Sequence, residues 1–154
     1  MWVGVTITHQ TVEQAAREVI EISAGARVLR ATHSTDPDGE SAELVGTISM
    51  LGPMGGTLVA YCSWAEAVAL ASGMLGATTE PDRETVQDAL GEIINQIGGT
   101  IKRRIEADGS EILLSPPVVV SGSPLSHCVK ATTLPLSVEM ELEIGHFAVC
   151  LWPS

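Results

Sequence analysis

Four residues of one segment, Asp88, Glu92, Asn95 and Gly99, have types and spacing that could do chemistry on a partner. On a helix wheel at ~100° per residue, Val86, Ile93, Ile94, Ile97, Ile101 and Ile105 lie within roughly 60° of Leu90 and form a core stripe. Asp88, Glu92, Asn95 and Gly99 fall within roughly 40° of the opposite pole. Glu92 and Asn95, three apart, are surface neighbours. Such a face is either solvated or built for docking. Asn is a poor helix former, and Gly98 and Gly99 each cost ~1 kcal/mol relative to Ala inside a helix. A glycine one turn beyond Asn95 would let a partner backbone approach closely.

Other chemistries find little support. Cys62, Cys128 and Cys150 show no C-x-x-C spacing and sit among apolar neighbours, so they read as buried thiols. His9, His33, His127 and His146 are scattered, and His127 and Cys128 on one strand would point to opposite faces. Neither a zinc site nor a Cys–His nucleophile is expected. No Gly-rich phosphate loop or G-x-S-x-G is present. The net charge is −11, split −5 over residues 1–77 and −6 over 78–154. That even negative field repels phosphate backbones and argues against nucleic-acid binding. Lys102, Arg103 and Arg104 form the one basic run, suited to a helix C-terminus or to steering a partner.

The chain of 154 residues suits one domain, and the five aromatics make its core aliphatic. Free thiols fit a reducing cytoplasm, and the first basic residue, Arg17, comes too late for a secretory leader. Residues 44–65 carry no charge, but Gly52-Pro53-Met54-Gly55-Gly56 divides them into runs too short to cross a membrane as a helix. They read as a buried hairpin, with arms at 41–51 and 56–62.

The elements that must position the candidate face follow from periodicity and punctuation. A helix is predicted over 11–24, with Thr11 as N-cap, Gln14 completing a capping box and Gly25 just beyond its end. A strand at 27–32 and a turn at 34–39 follow. Ser63, Glu66 and Gly76 bracket a helix over 63–75. Thr79 or Asp82 opens the long helix, which runs to about residue 107 and is closed by Asp108-Gly109. Strands are predicted at 111–121, 125–133, 137–144 and 146–152, the first bent or at an edge because of Ser115-Pro116-Pro117. Val138, Met140, Leu142 and Ile144 alternate with Glu139, Glu141 and Glu143, giving one buried face and a carboxylate face that discourages edge pairing.

Residues 12–25 align without gaps to residues 86–99, at an offset of 74. Val12 matches Val86, Ala15 matches Ala89, Glu18 matches Glu92 and Ile20 matches Ile94. This suggests one domain over 1–154, made of degenerate half-repeats at about 12–77 and 86–152. Glu21 stands where the second copy has Asn95.

Asp88-Ala-Leu-Gly-Glu92-Ile-Ile-Asn95, followed by Gly98-Gly99, resembles the signature helix of the CheX/CheC/FliY chemotaxis phosphatases. That family pattern has an acid or Ser, three residues, Glu, two residues, Asn, and a Pro about 22 residues later. Pro117 leaves 21 residues after Asn95. The order of elements resembles the family domain over nearly the whole chain, and a single Asn, where members with two working sites keep Asn in both helices, resembles CheX-like members. The resemblance implies an α/β fold of the α+β type, a pseudo-duplicated CheC-like domain with long helices packed on a mostly antiparallel sheet. It implies hydrolysis of the aspartyl-phosphate on a CheY-like response regulator. Asn95 would orient the attacking water and Glu92 would pair with the partner's lysine, while Asp88, Gln96 and Gly99 would contact the partner. Any Mg²⁺ would belong to the receiver, with no cofactor or metal held by this chain. An amide can fix a water by donating or accepting, whereas a carboxylate only accepts and repels phosphoryl oxygens, so Glu21 implies an inactive first copy. A homodimer is also implied. The alternative is a non-catalytic receiver-binding adaptor, or a flagellar-switch-like module, on the same fold.

Overall fold

The computed structural model describes residues 7–35, 42–76, 78–106, 111–122 and 134–154. In chain order the elements are α1 (His9–Ser23), β1 (Val28–Ser34), β2 (Leu44–Leu51), β3 (Gly56–Cys62) and α2 (Trp64–Leu75), then α3 (Arg83–Glu106), β4 (Leu113–Leu114), β5 (Val118–Ser121), β6 (Leu136–Leu142) and β7 (Gly145–Pro153). Among the described residues, the strands form one antiparallel sheet in the order β1-β6-β7-β3-β2-β4, with β5 also on β2. The three helices pack on this sheet, an α+β arrangement as expected. The predicted strand at 125–133, the closure at Asp108-Gly109, His127 and Cys128 lie outside the described residues, as does most of the turn at 34–39.

Alternation along the central strands divides the apolar residues. Leu44, Ile48 and Met50 join the core shared with the helices, while Val45 packs with Val59, Tyr61 and Cys150 in a smaller cluster. The hairpin of β2 and β3 is therefore apolar on both faces, which explains its long uncharged run.

Three local expectations change. Helix α1 starts earlier, because Thr8 is its N-cap and Thr11 occupies N3. The Thr8 hydroxyl accepts from the Thr11 backbone N–H, and the Thr11 hydroxyl accepts from the Thr8 N–H, each at 3.3 Å. Gln14 is thereby released and instead accepts from Arg104 at 2.6 Å. Strand β6 is interior, paired to both β1 and β7, so its carboxylates do not guard an edge. Glu141 pairs with Arg30 at 3.2 Å and Glu143 with Arg27 at 3.7 Å. Ile144 falls in the turn after β6 and is 39% exposed rather than buried.

The segment at 111–121 divides where its prolines predict. Pro116 and Pro117 offer no N–H to a ladder, but Ser115 holds the register on β2. Its N–H donates to the Ser49 carbonyl at 2.9 Å, and its Oγ accepts from the Ser49 N–H at 2.8 Å. Helix α2 is as read: Ser63 and Glu66 form a capping box, and Gly76 ends the helix in the left-handed region. The Glu66 carboxylate also accepts from the His146 N–H, tying α2 to the start of β7.

The end of α1 is held by backbone contact. A Cβ at Gly73 in α2 would collide with the carbonyl oxygen of Ala24. We expect Gly73→Ala to destabilise the fold by ~2 kcal/mol despite alanine's better helix propensity, because the two backbones must separate. A lowered urea midpoint with unchanged slope checks this.

Candidate functional site

Helix α3 buries the stripe read from the sequence. Val86, Leu90, Ile93, Ile94, Ile97, Ile101 and Ile105 are all buried. Asp82 caps the helix, its carboxylate accepting from the Thr85 N–H at 2.8 Å. The Thr85 hydroxyl and backbone N–H hold the Asp82 carboxyl below its ordinary pKa. Gly91 and Gly98 face the sheet, where an added Cβ would meet Pro117 and Val119, or Ile48 and Leu114, at ordinary packing distance. Pro117 thus lies against α3 one residue before Glu92.

The opposite face carries the candidate residues. Asp88 and Glu92 are exposed, and Asn95, Gln96 and Gly99 are half-buried because α1 runs along that flank. The helices are antiparallel. Arg104 reaches Gln14 and, at 3.6 Å, Glu18, while Ser23 reaches Gln96 at the other end. Between them lies a groove of about 370 Å³. Asn95, Gln96, Gly99 and Arg103 line one side, and Ile22 and Ser23 the other. The structure therefore brings Asn95, Gln96 and Gly99 into one groove. Glu92 joins them by accepting from the Gln96 side-chain N–H at 2.9 Å. Asp88 stands a turn earlier, outside the groove.

Hydrogen bonding separates these residues. The Gln96 amide is engaged at both ends, by Glu92 and by Ser23. Among the described residues, the Asn95 side chain has no hydrogen-bond partner, and neither Asp88 nor Glu92 has a cation within ion-pair distance. Glu21, the counterpart of Asn95, lies 3.9 Å from Arg17 on its own helix. The basic run is committed locally: Lys102 to Glu106, Arg103 to the Thr100 hydroxyl, Arg104 to α1.

Ile22 and Ser23 line the groove without belonging to the face expected from the sequence. Ile22 is 77% exposed, and it sits off the apolar stripe of its helix, a signal visible in the wheel. Ser23 lies at the stripe's end, where only the tertiary contact reveals its role.

Cys62 and Cys150 are buried free thiols. Burial, reinforced by Glu66 and Glu43, pushes Cys62 up to about 12, and burial does the same to Cys150. Among the described residues, no three His, Cys, Asp or Glu side chains converge to hold a metal ion. No helix of the described residues is long and apolar enough to cross a membrane.

A family model described as chemotaxis phosphatase CheX matches residues 44–141. The chain belongs to the CheX chemotaxis phosphatase family. The CheX match begins with β2, spans all of α3 and ends in β6. No curated protein is significantly similar in sequence. Among solved structures, the CheX–CheY–BeF3–Mg²⁺ complex from Borrelia burgdorferi is similar, with TM-score 0.83 and 17% identity over 97% of this chain and 99% of that one. CheX from Vibrio vulnificus gives TM-score 0.80 and 20% identity over 94% and 95%. FliY from Thermotoga maritima gives 0.61 and 18% over 96% and 92%. At these identities the likeness is one of fold.

Among the described residues nothing requires a glycine at 99, where an added Cβ would meet only the Arg103 guanidinium, at 3.8 Å. Gly99→Ala should stabilise the free chain by ~0.5–1 kcal/mol, read as a raised urea midpoint. At pH 8, Cys62 and Cys150 should resist alkylation in the native protein and react once it is unfolded, as mapped by mass spectrometry.

Proposed function

We propose that this chain hydrolyses the aspartyl-phosphate of a CheY-like response regulator, with the face of α3 entering the receiver's active site. The observation that carries the reading is the pairing, among the described residues, of a carboxamide with no hydrogen-bond partner, Asn95, and a carboxylate with no ion-pair partner, Glu92, one turn apart on a helix that resembles the family's signature helix. The similar Borrelia structure, itself a complex with CheY, supports a partner of that kind.

In this reading Glu92 pairs with a receiver lysine and sets the depth of docking, with Asp88 beside it. Gly99 leaves space for the partner's backbone. The Asn95 amide holds a water by one N–H or by its carbonyl. The water oxygen bonds to phosphorus as the bond from phosphorus to the aspartate oxygen breaks. The aspartate leaves as a carboxylate, and inorganic phosphate and a proton are released. Mg²⁺ is assigned to the receiver, which supplies charge stabilisation of the phosphoryl group. This chain's contribution is to position the water. Localisation in the cytoplasm, where response regulators act, belongs to the same reading.

The half-repeat organisation is part of the proposal too. With β5 taken at the β2 edge in place of the two-residue β4, exchanging β1 with β5, β2 with β6 and β3 with β7 leaves the strand order unchanged, read from its other end. Within that symmetry, Glu21 replaces the working amide and is paired within its own helix, which supports an inactive first copy.

Asn95→Ala should reduce acceleration of phosphate release by at least about 100-fold while leaving binding to a beryllofluoride-activated receiver intact. Phosphate release from a panel of phosphorylated receivers, with and without the protein, measures this. Stable binding with no acceleration by the parent protein would establish the adaptor alternative instead.

A further inference from the structure

An exposed glutamate on a helix ordinarily samples several rotamers, and ordering it costs entropy at the moment of binding. Here Glu92 is not left to do so. The Ser23 hydroxyl donates to the Gln96 side-chain carbonyl at 2.5 Å, and the Gln96 amide N–H donates to Glu92 Oε1 at 2.9 Å. The order of donors is dictated by the far end. A carboxylate only accepts, so Gln96 must present its NH₂ to Glu92, and its carbonyl is then turned to Ser23. Ser23 is the last residue of α1, and the contact of Gly73 with Ala24 fixes that terminus. The chain of bonds therefore runs from a rigid helix junction to an exposed carboxylate.

We infer that Ser23 and Gln96 are positioning residues, which hold Glu92 in the orientation that receives the partner's cation. The inference rests on the phosphatase reading above and deepens it. Among the described residues, only Oε1 of Glu92 has a partner, which leaves Oε2 for the lysine. Gln96 acts through Glu92, and Ser23 acts through Gln96. It follows that α1, which lacks the amide at position 21, still serves the single working site.

The test combines kinetics with a measurement on the free chain. Ser23→Ala and Gln96→Ala should each raise KM for the phosphorylated receiver by about five-fold, with kcat changed less than about two-fold. Ser23→Thr, which keeps the hydroxyl, should restore the parent value. In a Glu92→Ala background, Ser23→Ala should have no further effect, because there is nothing left to position. Hα–Hβ couplings of Glu92 in the free protein should report one dominant rotamer, averaged out by Ser23→Ala. Averaged couplings in the parent protein would overturn the inference. So would a Ser23→Ala effect of equal size with and without Glu92, which marks a merely structural serine. If Glu92→Ala itself leaves the kinetics untouched, the role given to Glu92 fails first, and the inference falls with it.

Discussion

The burial of one face of α3 decides where everything else can be. Seven aliphatic residues spaced along that helix are removed from water against the sheet, and each contributes ~1.5–3 kcal/mol relative to exposure. No rotation of the helix about its axis keeps them buried and moves Asn95. The glycines at 91 and 98 let the helix settle close to β2 and the β4–β5 edge, where Pro117 packs beside the start of the site. Helix α1 then closes on the remaining flank, held to α3 by Arg104 at one end and Ser23 at the other. The outward pole is thus shaded on one side and open on the other. Asn95 stands at the lip of a groove rather than on a bare helix, and Glu92 stands just outside it.

The distribution of charge works with this geometry. Each described lysine and arginine is committed within the chain, to a carboxylate, a hydroxyl, an amide or, for Arg83, Ser121 and the face of Trp64. Exposed pairs of this kind add little stability. Their effect, among the described residues, is to leave the excess acid without an internal cation, and Asp88 and Glu92 are part of that excess. A −11 chain presents them against a background that already attracts a cationic rim and repels free polyanions. The specific face and the overall field therefore have the same sign of preference.

What could be read from the sequence was local and periodic. The α3 stripe, the α2 capping box and the apolar hairpin each depend on residues within a few turns of one another, and each is found where expected. The structure departs from these patterns where two local solutions compete or where pairing is distant. Thr8 and Thr11 outcompete Thr11 and Gln14 because two hydroxyls can reach each other's backbone, while Gln14 is drawn to Arg104, ninety positions away. The Glu139–Glu141–Glu143 alternation correctly implies a solvated face, but alternation carries no information on neighbours, so it could not show that β6 lies between β1 and β7. Ser23 illustrates the same limit at the site. Its helical position was readable, but its hydrogen bond to Gln96 depends on how two helices cross.

In the half-repeat reading proposed above, the two matched helices differ in a way that makes physical sense. A second site on α1 would need an amide at 21, free of internal partners, and a neighbour able to order a glutamate at 18. Instead Glu21 faces Arg17, Glu18 is drawn to Arg104, and Ile22 stands where the other copy has Gln96. Glu21 and Glu18 are thus committed within the chain, while Ile22, 77% exposed, has no group that could order a glutamate. Glu18 now braces the far end of α3, and Ser23 reaches Gln96 at the near end. In the proposed reading, with α1 bracing α3 from both ends, the absence of a working amide on α1 and the rigidity of the face on α3 are two results of the same set of contacts.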